Sequence, residues 1–135
     1  MDKLEQEIDE LMTDYFLDYS RLDLKAIVSY FYQPCTFIVP LGVFVFSSES
    51  EIEGFWSPRF DDLTSQGFVR TERDEVNIKV LSDDTAVVSA RAVRYQADGS
   101  ELERRGVTIA LRKTDDGWKF VTLIHHSPDK VMRMD

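Results

Sequence analysis

The stretch that decides the fold is GWKFVTLIHHSP, which runs from Gly117 to Pro128. Side chains alternate between two faces along a strand, and here both faces are largely apolar. One face carries Trp118, Phe120, Thr122, Ile124 and His126, and the other carries Lys119, Val121, Leu123 and His125. A strand that is apolar on both sides needs cover on both sides. We therefore expect other protein elements to pack on each face of the sheet that contains this strand.

Three further runs of β-forming residues precede this strand, and turn sequences separate all four. The predicted strands are 69–81, 85–97, 101–113 and 118–126. The turns Ser82-Asp83-Asp84, Asp98-Gly99 and Asp115-Asp116-Gly117 suit hairpins. This half of the chain is therefore predicted to form a twisted antiparallel meander, with Gly106 as a bend point.

The first half of the chain has helical periodicity at its start. Apolar residues spaced from Leu4 to Tyr19 predict a long amphipathic helix. A short second helix is predicted from the N-cap Asp23 through Phe31, because Pro34 prevents its continuation.

A small hairpin around Pro40-Leu41-Gly42 is predicted next, followed by a third helix. Ser48 and Glu51 fit a capping box at the start of this helix, which is predicted to reach about Gln66. Pro58 is expected to break it or to start a new turn. The last residues, DKVMRMD, are expected to form a loosely held tail.

These elements predict one α+β domain over residues 1–135, with N-terminal helices packed on a strongly curved antiparallel sheet. The helices can cover only one face of that sheet. Because no element remains for the other face, we expect a homodimer that packs sheet on sheet.

Composition narrows the classes of function. The 135 residues are 43% hydrophobic and carry a formal net charge of −9, which disfavours nucleic-acid binding. No apolar run approaches the roughly 20 residues that a bilayer span needs, so no membrane partner is expected. The single cysteine, Cys35, and the acidic N-terminus without a secretion signal predict a cytoplasmic location. Adjacent histidines on a strand point to opposite faces, so no metal site is expected. The sequence has no glycine-rich phosphate-binding motif, so no cofactor is expected.

The order of elements and three segments resemble the nuclear transport factor 2 family, whose superfamily also holds SnoaL-like polyketide cyclases, ketosteroid isomerase and scytalone dehydratase. The segments are the aromatic cluster Tyr15, Phe16 and Tyr19, the helix EIEGFW, and ALRKTDDGWKFVTLIHHSP. The resemblance implies a cone whose curved sheet wraps the long helix and leaves an apolar internal pocket. Family members often place histidines four and six residues beyond the strand tryptophan, where this chain has Thr122 and Ile124.

Three residues are candidates for catalysis. His126 lines the pocket if its face meets the helices, whereas a bulge in the strand would turn His125 inward instead. Tyr15 lies where isomerase-like members place a tyrosine that donates a hydrogen bond to substrate. Ketosteroid isomerase chemistry also needs a carboxylate in the first hairpin, where this chain reads FIVPLGVFV, so that mechanism is rejected.

Further candidates concern ligand binding. The expected ligand-binding residues are Tyr15, Tyr32, Trp56, Arg91, Tyr95 and His126. A mid-strand arginine such as Arg91 needs an anion, which could be a ligand carboxylate or a neighbouring acid such as Glu72, Glu75 or Glu103. The expected function is binding of a small apolar or amphipathic molecule. The alternatives are a lyase, isomerase or cyclase with a pocket histidine as acid or base, and a dimerisation or assembly domain.

Overall fold

Residues 1–134, which the computed structural model describes, form three α-helices and six strands. The elements are α1 (Lys3–Ser20), α2 (Leu24–Ser29), β1 (Phe31–Val39), β2 (Gly42–Phe46), α3 (Glu49–Ser65), β3 (Phe68–Ser82), β4 (Thr85–Gln96), β5 (Glu101–Thr114) and β6 (Gly117–His126). A short 3₁₀ turn, Pro128–Lys130, follows β6. The predicted α+β class is confirmed.

The strands form one open sheet in the order β2-β1-β6-β5-β4-β3. The predicted meander from β3 to β6 is present and antiparallel. The sheet is nevertheless mixed, because β1 lies parallel to β6. That pairing joins distant parts of the chain, so no local pattern in the sequence indicates it.

Capping side chains fix where the helices begin. Asp23 accepts a hydrogen bond from the Ala26 amide at 3.2 Å. Ser48 caps α3 as predicted, since its Oγ accepts from the Glu51 amide at 3.2 Å, while the Glu51 carboxylate accepts from the Ser47 amide at 3.0 Å, one residue before the amide that a capping box uses.

Helix α3 continues through Pro58 to Ser65, which is the second of the two alternatives expected, and the Arg59 guanidinium donates to the Phe55 carbonyl at 2.7 Å in the turn where proline removes a backbone donor. The predicted end of α2 was wrong. Helix α2 ends at Ser29, before Phe31, because Phe31 is buried and pairs with Phe120 of β6.

The helices cover one face of the sheet, here called the inner face. Its core includes Met12 from α1, Trp56 from α3, and Phe37 and Leu123 from the sheet, all at most 1% exposed. None of the helices in residues 1–134 combines the length and the apolar character needed to cross a bilayer.

The chain beyond β6 is anchored on the opposite, outer face, contrary to the loose tail that was expected. The Met132 amide donates to Ser89 Oγ at 2.8 Å, and the Met132 carbonyl accepts from Asn77 Nδ2 at 3.0 Å. Arg91 Nε donates to the Pro128 carbonyl at 2.8 Å. Asp135, the last residue of the expected tail, lies outside the described residues.

Candidate functional site

Two adjoining cavities lie between the helices and the inner face, and together they are called the Arg94 cavity. Their common wall consists of Tyr19, Arg94, Arg105 and His125. The inner cavity, of about 30 Å³, adds Tyr15, Phe16, Thr71, Ala92 and Val107. The outer cavity, of about 190 Å³, adds Trp56, Arg59, Asp62, Leu63, Gln66 and Glu103. The inner part is thus walled mainly by apolar groups and the outer part by charged ones.

Small residues on β4 create this space. Val88, Ala90, Ala92 and Arg94 alternate along the inner face, and the methyl group of Ala92 reaches far less deeply than the neighbouring aromatic rings. Arg94 is the charged member of this series, so its guanidinium enters the layer between sheet and helices. Its side chain is only 9% exposed.

Arg94 is held by one phenol and one carboxylate. Its Nη2 donates to the Tyr19 hydroxyl at 2.9 Å, and its Nη1 bonds to Glu103, its direct partner across the β4–β5 pair. Arg105 Nη2 donates to the second Glu103 oxygen at 3.3 Å. Burial alone would raise the pKa of Glu103, but the charges of Arg94 and Arg105 and their hydrogen bonds bring it below its ordinary value. Glu103 therefore neutralises one of two arginines.

A bulge in β6 decides which histidine enters the cavity. Leu111 pairs with Phe120 and Ala110 pairs with Thr122, so Val121 is an extra residue in the ladder. The alternation shifts by one at that point, and His125 joins the inner face with the buried Leu123. The expectation that His126 lines the pocket is therefore corrected, because the bulge reverses the two rings.

His126 lies on the outer face. Its Nε2 is 2.8 Å from Thr108 Oγ1 and its Nδ1 is 2.9 Å from the Ser127 carbonyl. The ring rests on Gly106, where an added Cβ would lie 2.5 Å from ring atoms. The strand register is regular at Gly106, so this glycine provides room for the ring rather than the bend that was expected.

Several polar groups of the cavity have no hydrogen-bond partner among the described residues. The buried ones are Thr71 Oγ1, Arg94 Nε and Trp56 Nε1. The hydroxyl of Tyr15 and the imidazole of His125 also have none, and the His125 ring meets Trp56 edge to face at a centroid distance of 6.2 Å. Burial, followed by the charge of Tyr19, raises the pKa of Tyr15 well above its ordinary value. Tyr15 is thus a neutral phenol that can donate a hydrogen bond.

The guanidinium groups around the cavity affect the pKa values of its other titratable side chains. Burial, followed by the charges of Arg105, Arg94 and Arg59 in that order, lowers the pKa of His125 to about 3. His125 is therefore neutral near pH 7. Burial is also the main cause that lowers the pKa of the Arg59 guanidinium, and the positive charge of Arg105 adds to it.

The other expected ligand-binding residues divide between the cavity and the surface. Trp56 and Tyr15 line the Arg94 cavity. Tyr32 is 42% exposed and lies in a separate surface groove. Tyr95 stacks under the Arg70 guanidinium at 4.4 Å. Tyr95 lies on the outer face of the sheet and Tyr32 lies on the exposed surface of β1, so both are away from the cavity.

Arg91 also lies outside the cavity. Of the two kinds of partner considered for it, the structure supplies neighbouring acids, since its Nη1 is 2.8 Å from Asp74 and 3.7 Å from Glu75. Both faces of β4 thus carry a partnered arginine, Arg91 outside and Arg94 inside.

Sequence reasoning missed the arginines of the cavity as site residues. The signal for Arg94 was present, because it alternates with Val88, Ala90 and Ala92 on a face otherwise made of small apolar residues. Arg105, beside Gly106, carried a weaker signal of the same kind, and Arg59 carried none. Their convergence depends on how α3 packs over β5, which local spacing does not reveal.

Cys35 is a free cysteine buried in the core. Burial, with a smaller effect of the Glu51 charge, raises the pKa of the Cys35 thiol to about 11, so it is a protonated core group. Within residues 1–134, no three His, Cys, Asp or Glu side chains converge in a way that could hold a metal ion.

Comparison with known proteins gives a family match over most of the chain. The model of a family described as "NTF2-like protein (DUF6841)" matches residues 5–128. A search of curated proteins found no match.

Solved structures share the fold at low sequence identity. An NTF2-like protein with a cystatin-like fold from Novosphingobium aromaticivorans is 18% identical, with a TM-score of 0.76 over 93% of this chain and 82% of that one. Aln2 from a Streptomyces species is 16% identical, with a TM-score of 0.78 over 96% and 94% of the two chains. An NTF2-like protein of unknown function from Shewanella oneidensis is 20% identical, with a TM-score of 0.73 over 91% and 98%. At these identities the likeness concerns the fold alone.

Proposed function

We propose that this chain, which belongs to the family of NTF2-like proteins DUF6841, binds a small organic molecule in the Arg94 cavity. The observation that carries the proposal is that several polar groups in the wall of this cavity have no hydrogen-bond partner in the protein. Besides Tyr15 and His125, the Arg94 Nε–H and the Trp56 Nε1–H are buried and have no acceptor among the described residues. Leaving such a donor unpaired costs about 1 to 3 kcal/mol, which a bound acceptor would recover.

The size of the cavity limits the size of the ligand. Sites for drug-sized molecules usually enclose roughly 300 to 1,000 Å³. The outer cavity measures about 190 Å³ and the inner about 30 Å³. The ligand we propose therefore has one small ring or a short branched chain.

Binding is favoured over acid–base catalysis by the state of His125. A general acid or base works best when its pKa lies near the working pH. The pKa of His125 is lowered to about 3, mainly by burial, so near neutral pH the ring is a weak base and its acidic imidazolium form is scarcely populated. The lyase, isomerase or cyclase alternative is consequently the less supported one.

The two tryptophans of the chain offer an internal control for a binding test. Trp56 lines the outer cavity, whereas Trp118 is buried outside both cavities. Each indole N–H gives its own signal in a ¹H–¹⁵N NMR spectrum, and the variant Trp56→Phe would assign them.

We expect members of a library of small cyclic and branched compounds to shift the Trp56 signal saturably. The Trp118 signal should stay in place. If no compound shifts the Trp56 signal, or if both signals move together with every compound, the Arg94 cavity is not a binding site.

A further inference from the structure

The outer cavity contains more positive than negative groups. Three guanidinium groups, those of Arg59, Arg94 and Arg105, face two carboxylates, Glu103 and Asp62. Glu103 is shared by Arg94 and Arg105. Asp62 is exposed, so water screens its charge. This excess stands out in a chain whose formal net charge is −9.

Arg59 supplies a charge that no directly bonded carboxylate balances, and the charge of Asp62 acts on it without an ion pair. Arg59 forms no ion pair with any residue in 1–134, and its guanidinium lies 3.6 Å from the centre of the Phe55 ring. Its one hydrogen bond goes to the Phe55 carbonyl. The remaining N–H groups of this half-buried guanidinium are free to bind an anion.

Arg59 and Arg105 line the outer cavity from opposite sides, one from the helices and the other from the sheet. Arg59 belongs to α3 and Arg105 to β5, and both line the outer cavity. Arg105 donates only to Glu103, which leaves further N–H groups on its planar fork. Two arginines that line one cavity and each keep unbonded N–H groups can bind an anionic oxygen group.

The remaining wall fits an apolar body. Beyond the shared wall, Phe16, Ala92 and Val107 close the inner cavity, while Trp56 and Leu63 flank the outer one. Tyr15 and Trp56 add hydrogen-bond donors, and the only nitrogen that can accept is on His125. The unpartnered nitrogen groups of the wall are thus mainly donors, which suits a ligand whose polar atoms are acceptors.

We infer that the ligand of the Arg94 cavity is a small monocarboxylic acid, bound as its carboxylate between Arg59 and Arg105 with its apolar part toward Trp56 and the inner cavity. This inference rests on the proposed function, because it names the chemical class of the molecule that the cavity binds. The carboxylate supplies the acceptors that the guanidinium groups lack.

Three pairs of acids and amides of nearly equal shape test the inference: acetate and acetamide, isobutyrate and isobutyramide, benzoate and benzamide. Each compound is titrated into the full chain while the Trp56 indole signal is followed. In at least one pair the acid should bind about tenfold or more tightly than its amide, since hydrogen bonds to charged groups are the stronger ones. This comparison uses the unaltered protein and does not depend on any variant folding.

Variants then locate the carboxylate. Arg105→Gln and Arg59→Gln should each weaken binding of the acid by about tenfold and change binding of the amide by less than about twofold. The matched control is Arg104→Gln, which removes the same charge from the next residue, where Arg104 pairs with Glu101 outside the cavity. That variant should leave the acid and the amide within about twofold of the unaltered protein.

The outcomes separate this inference from the proposed function. If amides shift Trp56 as strongly as their acids in all three pairs, or if Arg104→Gln weakens the acid as much as Arg105→Gln, the carboxylate inference is overturned while the cavity still binds ligands. If neither these compounds nor any library compound shifts Trp56, the proposed function fails, and the inference fails with it.

Discussion

The neutral imidazole of His125 lies among three guanidinium groups, and its contribution to the free energy of unfolding depends on pH. Burial and the charges of Arg105 and Arg94 favour the neutral form and lower the pKa of the ring to about 3. An unfolded histidine titrates near about 6.5. Between these values the unfolded chain binds a proton that the folded chain does not.

The stability that neutral His125 contributes is therefore complete above about pH 6.5 and is lost as the pH falls toward 3. Between about pH 7 and pH 5, this residue should lower the free energy of unfolding by about 2 kcal/mol. Urea unfolding at both pH values measures the change. His125→Gln should remove this part of the dependence, whereas His126→Gln should keep it. An equal dependence in His125→Gln and the unaltered chain would show that the ring titrates normally.

Gly106 is required by a side chain rather than by a backbone angle. A Cβ at this position would lie 2.5 Å from the His126 ring and 2.5 Å from the Ser127 carbonyl oxygen. The substitution Gly106→Ala must displace both, so we expect a loss of about 1 to 3 kcal/mol in the free energy of unfolding.

Gly54 is a matched control for that substitution, because it lies inside α3 and a Cβ there would meet no atom within 4 Å. Gly54→Ala should stabilise the chain by up to about 1 kcal/mol through helix propensity. Denaturant unfolding of the two variants compares them directly. If Gly106→Ala were as stable as the unaltered chain, the His126 ring and the Ser127 carbonyl could move away from the added methyl group without loss of stability.

At the scale of elements, residues 127–134, here called the clamp, are hydrogen-bonded to the outer face of the sheet. Ser89 Oγ is fully buried, accepts from the Met132 amide, and lies 2.9 Å from Thr108 Oγ1. Thr108 in turn bonds to His126. This row of hydrogen bonds connects the end of the chain to three strands.

Ser89→Ala should break the row and release the Met132 amide. We expect about 1 to 3 kcal/mol of destabilisation and faster hydrogen exchange at Met132, because the substitution leaves buried groups unpaired. Ser65→Ala, an exposed hydroxyl that bonds within α3, should change stability by less than about 0.5 kcal/mol. Unchanged exchange at Met132 in Ser89→Ala would argue against the clamp.

The sequence predicted the elements well where the signals are local. The predicted strand 69–81 is Phe68–Ser82 in the structure, and the caps Asp23 and Ser48 lie where helices begin. These features follow from turn chemistry and capping, which involve neighbours in the chain.

The candidate site was predicted less completely. No local sequence pattern indicates the Val121 bulge, because both faces of this strand are largely apolar with or without it. One shifted residue exchanges the two faces of a strand, so the orientation of His125 and His126 could not be fixed from alternation. The meeting of Arg59 with Arg105 depends on tertiary packing of α3 over the sheet.

At the scale of the whole molecule, the outer face retains an apolar region near the β2 edge. Val43 is 65% exposed, Val45 is 63% exposed and Ile38 is 39% exposed. The clamp lies over β3, β4 and β5 and leaves this region uncovered. We propose that two copies of the chain associate through it, as the apolar strands led us to expect.

Light scattering during size-exclusion chromatography measures the mass of the assembly. We expect a dimer at micromolar concentration, and a monomer for the double variant Val43→Lys with Val45→Lys, because buried charges would lie in the interface. Leu81→Lys, which changes a residue of similar exposure at the opposite edge of the sheet, should remain dimeric. A monomeric unaltered chain would refute the association.

The central claim is that a small molecule binds in the Arg94 cavity. The most direct measurement is of intermolecular nuclear Overhauser effects between saturating benzoate and the aromatic protons of the chain. We predict contacts to Trp56 and His125, which line the cavity, and none to Trp118 or His126, which lie outside it. Contacts to His126 or Trp118 without contacts to Trp56 would contradict the claim.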